Sequence, residues 1–270
     1  MRPEHRDSDD TATQRNITDA LAAAARRVAP RQVPAALCRL CVELLPVTGA
    51  SVSLTAGGSV HTLWCASDST AARLAEAQYT LGDGPCQTAV DLVAPVIAAD
   101  LTRGPDARRW PVFAHQAIEL GVRSVCSLPL GSSGQAIGTL DLYRDTAGTL
   151  SGQELQIALL VRDTATFAVL NLMPDPDGDG QAPEGGVASW VEAAEADHAE
   201  VHQAVGMIMV QLGVDPQQAL DRLRARAFTQ GRTVTELARD VLTRTLRFHQ
   251  ETGQDPGDAE RQPGTEQEGR

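Results

Sequence analysis

The sequence contains no lysine: all 23 of its basic residues are arginine. It also lacks any apolar run of the roughly 18 residues that cross a bilayer, and its polar first residues include no apolar core of a signal peptide. The 35 acidic residues outnumber the basic ones and give a formal net charge of −12. Such a charge argues against a protein that coats nucleic acid or anionic membranes indiscriminately. We therefore expect a cytoplasmic protein without a membrane partner, and any nucleic-acid site must be local.

Enzyme motifs are missing as well. The sequence has no G-x-S-x-G, no G-x-x-x-x-G-K-[ST], no H-E-x-x-H and no protein-kinase set, and we interpret the GDG at 82–84 as a turn. These absences predict a protein that is not an enzyme and that needs no cofactor or metal.

Cysteine and histidine are sparse. Five cysteines are an odd number, so a disulfide framework is not expected. Cys38 and Cys41 form C-x-x-C inside a helical apolar stripe, which favours core packing over redox or metal chemistry. Cys86 follows Gly84-Pro85 near a helix start, where the dipole can lower a thiol pKa, but packing is the stronger interpretation. His61 and His115 are expected to be surface or satisfied residues rather than metal ligands.

The chain has two parts that differ in predicted secondary structure. Helices and strands alternate up to about residue 172, and a Pro-, Gly- and Asp-rich stretch then separates them from a purely helical part. The fold class predicted is an α+β domain with an antiparallel sheet and flanking helices, followed by an all-α three-helix bundle. The predicted divisions are a disordered N-terminus (1–16), the α+β domain (17–172), a flexible linker (173–188), the bundle (189–249) and a disordered acidic tail (250–270).

The helix boundaries expected from periodicity and caps include 17–29, 68–78 and 107–120 in the first domain. In the bundle they are Ser189 to Leu212, Pro216 to Thr229, and Val234 to about His249. Asp215 before Pro216, Gly231, and Thr233 with Glu236 supply the start and stop signals of the last two helices.

The bundle sequence has two unusual features. Gly206 lies within its first helix, where glycine costs about 1 kcal/mol relative to alanine. Residues 222–249 hold seven arginines against two acidic residues, a net charge of +5 in a chain of charge −12. The charged stripe is either a solvated face or a local nucleic-acid contact.

Residues 198–242, HAEVHQAVGMIMVQLGVDPQQALDRLRARAFTQGRTVTELARDVL, resemble the ANTAR domain, the three-helix RNA-binding output module of bacterial antiterminators. The resemblance lies in the patterns Q-A-x-G-x-x-M, A-x-x-x-L-R-x-x-A and V-x-x-L-A. One departure is Val205, where many members have lysine. The patterned positions are Gln203, Ala204, Gly206, Met209, Ala219, Leu223, Arg224, Ala227 and Ala238.

This resemblance implies binding to paired RNA stem-loops in a nascent transcript, so that a terminator hairpin does not form. Forked guanidinium groups suit phosphates and unstacked loop bases. Two hairpins would suit two bundles, so a homodimer is expected. The candidate RNA-binding residues are Arg224 first, Arg222, Arg226 and Arg232 as phosphate partners, His202 and Gln203 as readers of base edges, and the small Ala204 and Gly206, which leave room either for RNA or for helix packing.

The first domain, with YTLGDGPCQTAVDLVAPVIAADL followed by GVRSVCSLPLGSSGQAIGTLDLYR, resembles the GAF domain, a small-molecule sensor fold. It lacks the N-K-x-x-F-D-E signature of cyclic-nucleotide-binding members, so the ligand is unknown. Asp100, Arg123 and Asp141 are either polar groups of a pocket or exposed charges at strand ends.

Two alternatives remain open at this point. TVTELARDV resembles the first helix of a DNA-binding helix-turn-helix, but VLTRTLRFHQ is expected to continue the same helix, without the turn that a recognition helix needs. In the other alternative, the bundle only mediates dimerisation.

Overall fold

The computed structural model describes residues 33–56, 60–132, 134–172 and 188–249. The predicted disordered ends, the helix predicted over 17–29 and the linker up to residue 187 lie outside these residues. None of the helices in the described ranges combines the length and the apolar content that a membrane crossing requires.

The first domain has a five-stranded sheet of strand order β2-β1-β5-β4-β3, and every neighbouring pair is antiparallel. Helices lie on its faces, and three helices follow as a separate bundle, so the predicted fold class is confirmed. The elements are α1 (Val33–Leu44), β1 (Gly49–Ala56), β2 (Val60–Ala66), α2 (Ser69–Leu81), α3 (Pro85–Leu92), β3 (Val96–Ala98), α4 (Gly104–Arg109), α5 (Pro111–Glu119), β4 (Ser124–Ser132), β5 (Gln135–Arg144), α6 (Gly152–Leu172), α7 (Ala188–Leu212), α8 (Pro216–Gln230) and α9 (Val234–Leu242).

The two faces of the sheet differ in chemistry because side chains alternate along each strand. One face is apolar: Val52, Leu128 and Leu140 pack against α1 and α6 in a single core cluster. The opposite face, beneath α3, carries serine, threonine and aspartate in place of aliphatic residues. Ser51 and Ser127 flank Asp141 in register there, and all three are buried.

Local signals set most helix ends. Asp68 caps α2 by accepting hydrogen bonds from the backbone amides of Thr70 and Ala71, and Gly82 ends the helix in the left-handed region at φ 63°. The helix predicted over 107–120 is instead two helices, α4 and α5. Trp110 leaves helical geometry, with φ −131° and ψ 68°, because the following Pro111 disfavours the α conformation at the residue before it.

The bundle caps were predicted correctly. The Asp215 side chain accepts from the amide of Gln218, and Thr233 with Glu236 forms a complete capping box. However, α9 ends at Leu242 rather than near His249. The Thr243 hydroxyl donates to the Arg239 carbonyl, and the Thr245 hydroxyl donates to the Asp240 carbonyl. Threonine side chains thus satisfy carbonyl groups in the last turn of the helix.

The end of α9 corrects one reason given against a helix-turn-helix, since residues 243–249 do not continue that helix. No second helix follows α9 up to residue 249, where the described part of the chain stops. The described residues therefore contain no recognition helix after α9.

Candidate functional site

Arg224 lies between the bundle and the sensor domain, only 8% exposed. Its Nε donates a 3.1 Å hydrogen bond to the carbonyl of Tyr79, and its guanidinium carbon lies 5.6 Å from the centre of the Tyr79 ring. The Asp221 carboxylate is 3.7 Å from Nη1. Burial lowers the pKa of Arg224, while Tyr79 and Asp221 oppose that effect. The first candidate for an RNA contact is thus a contact between domains in this conformation.

The end of α2 forms the rest of this interface. Tyr79 is buried and packs in the hydrophobic core of the bundle. The Val234 amide donates a 3.3 Å hydrogen bond to the Thr80 hydroxyl, and the Thr235 hydroxyl donates to the Glu76 carboxylate at 3.3 Å. Burial raises the pKa of Glu76 to about 7, against the hydrogen bond from Thr235. The bundle is therefore docked on α2 through apolar, polar and charged contacts together.

Two other arginines of the bundle are paired with acids. Arg232 Nη1 lies 2.6 Å from Asp240 Oδ2, and its Nε is 3.8 Å from Glu236 Oε2. The pKa of Arg232 is raised, chiefly by the hydrogen bond to Asp240. Arg239 Nε is 2.7 Å from Glu200 Oε2. The positive charge of residues 222–249 is therefore partly neutralised within the bundle.

Arg222 and Arg226 are exposed, and neither guanidinium group makes a hydrogen bond or ion pair with any residue that the structure describes. Each is two positions from Arg224, which places it about 200° around α8. They consequently face away from the sensor domain, whereas Arg224 faces it. The three arginines do not share one surface.

The outward face of α7 carries the other candidates. His202, Gln203 and Gly206 are exposed, and Val210, one turn after Gly206, is 86% exposed. A Cβ built at Gly206 would have no described atom within 4 Å. Of the two alternatives for this glycine, close helix packing is therefore not realised within the described chain.

Ala204 and Val205 occupy the opposite side of the same helix and belong to the bundle core. The small size of Ala204 serves helix packing, so it presents no surface to a ligand. Val205, at the position where many ANTAR domains have lysine, contributes buried apolar area in place of an amine.

Asp141 is the one acidic group inside the sensor among those described. Its carboxylate accepts hydrogen bonds from Ser127 Oγ at 2.5 Å and Thr139 Oγ1 at 2.9 Å. Burial raises its pKa to about 6, and the two hydroxyl hydrogen bonds oppose that rise. Of the three sensor charges considered from the sequence, Asp100 instead pairs with Arg103 at the surface and Arg123 is exposed.

The cysteines lie in the core. Cys38 and Cys41 are completely buried, which confirms the interpretation of C-x-x-C as packing. Periodicity did not indicate that Cys65 Sγ would lie 2.8 Å from Cys38 Sγ, because the two are on different elements. Cys86 is at the start of α3 and is buried, as the packing interpretation predicts, and burial raises its thiol pKa rather than the helix dipole lowering it.

Of the two histidines considered from the sequence, the structure describes the side chain of His115 alone. His115 is exposed, and its Nε2 lies 3.4 Å from Glu119, as expected of a surface residue. The side chain of His61 is outside the described residues. Among the described residues, no three histidine, cysteine or acidic side chains come together in a way that could hold a metal ion.

Comparison with known proteins adds two family matches. The family model of the GAF domain matches residues 29–170, and that of the ANTAR domain matches residues 191–242. No curated protein matches the chain in sequence.

Solved structures resemble the sensor part. The GAF domain of a phosphoenolpyruvate-protein phosphotransferase from Coxiella burnetii is 16% identical, covers 60% of this chain and 93% of its own, and has a TM-score of 0.45. A type II free methionine-R-sulfoxide reductase from Thermoplasma acidophilum is 19% identical, covers 54% and 95%, and has a TM-score of 0.42. At these scores and identities, neither likeness carries an argument about chemistry.

Proposed function

Because the chain belongs to the GAF domain family and carries an ANTAR domain after its sensor, we propose that it is a signal-responsive regulator that binds RNA stem-loops and prevents transcription termination. The observation that carries this proposal is the ANTAR match together with the outward face of α7. There, Gly206 leaves open space beside Gln203 and His202 on an exposed helix. A helical glycine without a packing partner fits a backbone or base that approaches closely from outside.

The candidate RNA contacts fall into two groups by access. His202, Gln203, Arg222 and Arg226 are exposed while the bundle is docked, so they can meet RNA directly. Arg224 reaches RNA only after α8 separates from α2 and the Tyr79 carbonyl loses its guanidinium partner. Arg232 is exposed in part, and an RNA phosphate would compete with Asp240 for it. Docking of the bundle would therefore control whether RNA can reach Arg224, the first candidate for an RNA contact.

The signal enters, in this proposal, at the polar inner face of the sheet. Asp141 and the serines beside it are buried where an apolar layer would be expected, and Gln87 of α3 has a buried Nε2 without a hydrogen-bond partner among the described residues. Buried polar groups of this kind suit a small polar ligand. Gln78 Oε1 accepts a 2.9 Å hydrogen bond from the Cys86 amide, which links α3 to α2 one residue before Tyr79. A ligand that shifts α3 would thus also move the end of α2, and with it the contact between Tyr79 and the bundle.

A homodimer would present two bundles to paired hairpins and raise the effective concentration of the second contact. The last helix of the sensor supports this proposal, since Phe167 and Leu170 of α6 are large apolar residues exposed at 69% and 45%.

Fluorescence anisotropy at one fixed salt concentration tests the proposal, with an RNA of two stem-loops, the same RNA with its loops closed into duplex, and duplex DNA. We expect the two-loop RNA to bind best, and the double variant Arg222→Ala, Arg226→Ala to weaken that binding about tenfold or more through lost phosphate contacts. Arg39→Ala, which removes an exposed arginine from α1, is the matched control and should bind as the native chain does.

The competing functions give different results in the same assay. Preferential binding to duplex DNA would support a DNA-binding transcription factor. If no nucleic acid bound, the bundle would serve only as a dimerisation module, and the proposed function would be wrong.

A further inference from the structure

A cleft of about 320 Å³ lies where the end of α2, the start of α5 and the middle of α8 meet. Its volume is at the small end of the roughly 300–1,000 Å³ range typical of ligand sites. Both domains contribute to its walls: Leu81, Asp83 and Val112 come from the sensor, and Asp221, Arg224 and Phe228 come from the bundle. A molecule held here would touch both domains at once.

Arg224 supplies donors that no described residue uses. Nε bonds the Tyr79 carbonyl, but neither terminal nitrogen makes a hydrogen bond within the described chain, and Nη2 is buried. The nearest carboxylate, Asp221, is 3.7 Å from Nη1, beyond hydrogen-bond distance. Because Arg224 lines the cleft, an acceptor placed there has access to a guanidinium group whose terminal nitrogens make no hydrogen bond among the described residues. The cleft therefore favours a ligand with a carboxylate or similar acidic group.

Two carboxylates of the lining restrict the ligand further. Asp83 and Asp221 place exposed carboxylate groups at the same cleft. A simple anion would be drawn to Arg224 but repelled by both aspartates. A ligand that also bears an ammonium group satisfies all three charges.

Apart from Thr80, the remaining walls are apolar, and they are partly open to solvent. Val112 is 37% exposed, Phe228 is 53% exposed, and Leu81 lies beside them. An aliphatic or aromatic side chain on the ligand would cover these residues and exclude water from them.

We propose that this cleft binds a free α-amino acid with an apolar side chain, whose carboxylate meets Arg224, whose ammonium group meets Asp83 and Asp221, and whose side chain lies against Leu81, Val112 and Phe228. Because the site exists only while α2 and α8 are in contact, the amino acid stabilises the docked arrangement by mass action. This binding does not depend on the RNA-binding function, so the two proposals fail separately.

Isothermal titration calorimetry of the full-length chain tests the proposal with L-leucine, L-methionine and L-phenylalanine. Two analogues of phenylalanine separate its charged ends: 3-phenylpropionate lacks the ammonium group, and phenethylamine lacks the carboxylate. At least one of the three amino acids should bind with one-to-one stoichiometry at millimolar concentration or below. Each analogue should bind about tenfold or more weakly than phenylalanine, since each loses a charge-assisted hydrogen bond.

A matched pair of variants locates the site. Val112→Trp fills the cleft and should abolish binding, whereas Ile118→Trp changes an equally exposed residue of the same helix that does not line the cleft and should leave binding unchanged. The bound amino acid should also slow hydrogen exchange at the Val234 amide, which donates to Thr80 across the interface.

Three results would overturn the proposal. One is the absence of binding by any of the three amino acids up to the highest soluble concentration. Another is measurable binding of phenylalanine that either analogue equals, which would show that only one charged end is recognised. The third is unchanged binding in Val112→Trp, which would place the amino acid elsewhere on the protein.

Discussion

Arg224→Ala should release the bundle from the sensor. The change removes a hydrogen bond from a charged donor to a buried carbonyl, which contributes about 1.5–3 kcal/mol, and a cation–π contact that contributes about 0.5 kcal/mol at this distance. Part of this is offset, because docking of the native chain buries the guanidinium with Nη2 unpartnered, and the alanine variant does not have this desolvation cost. We expect a net loss of about 2 kcal/mol in docking free energy.

Hydrogen exchange measured by NMR at the Val234 amide reports this loss directly. That amide is the first of α9, and its hydrogen-bond acceptor is the Thr80 hydroxyl of the sensor. A loss of about 2 kcal/mol predicts that its exchange accelerates about 30-fold, since 1.4 kcal/mol corresponds to a factor of ten. Amides inside α8 keep their helical partners and should change much less.

Arg222→Ala is the matched control, because it makes the same substitution two positions earlier on the opposite side of α8. Exchange at Val234 should stay within about twofold of the native rate, as surface substitutions usually change stability by less than 0.5 kcal/mol. If Arg224→Ala leaves the Val234 exchange rate unchanged, or if the two variants accelerate it equally, Arg224 does not hold the bundle on the sensor.

Three further predictions concern the same interface and the bundle core. Gly82→Ala and Gly231→Ala both place a side chain at positive φ, but only Gly82→Ala puts a Cβ 2.8 Å from Arg224 Nη1. Gly82→Ala should therefore accelerate hydrogen exchange at Val234, whereas Gly231→Ala should not. Equal effects of the two variants would contradict the contact between Gly82 and Arg224. A docked Glu76 with a pKa of about 7 holds its proton more tightly than an undocked one, so docking should weaken as pH rises from about 4.5 to 7 and stay constant above pH 7. Glu76→Gln should therefore stabilise the chain by at most about 3 kcal/mol at pH 8 and hardly at pH 4. Urea midpoints that shift equally at the two pH values would exclude this effect. Leu223→Ala, in the bundle core, should cost about 2–5 kcal/mol in urea denaturation, and a loss below about 1 kcal/mol would mean that the site is not tightly packed.

The features that sequence reasoning predicted well are those determined by neighbouring residues. Asp215 with Pro216, and Thr233 with Glu236, place a capping side chain next to the amides that it satisfies, so the starts of α8 and α9 follow from local chemistry. Where local signals competed, the prediction failed. Apolar periodicity continued through Pro111, but the constraint that proline imposes on the residue before it divided the helix in two.

The docked interface could not be predicted in the same way. Tyr79 and Arg224 are 145 residues apart, and neither shows in its own segment that the other is its partner. Composition indicates that residues 222–249 are basic, but it does not show that Arg232 and Arg239 are neutralised by Asp240 and Glu200. Apolar periodicity puts Ala204 on the inner face of α7, but only the packed bundle shows that Ala204 is completely buried and that Gly206 faces solvent.

Crosslinking this chain to RNA in its own cell, followed by sequencing of the recovered RNA, tests the proposed RNA-binding function. We predict enrichment of transcript segments that contain two adjacent stem-loops, and loss of that enrichment in the double variant Arg222→Ala, Arg226→Ala. Recovery of no RNA above the level obtained with the double variant, or of RNA without paired stem-loops, would mean that the proposed function is wrong.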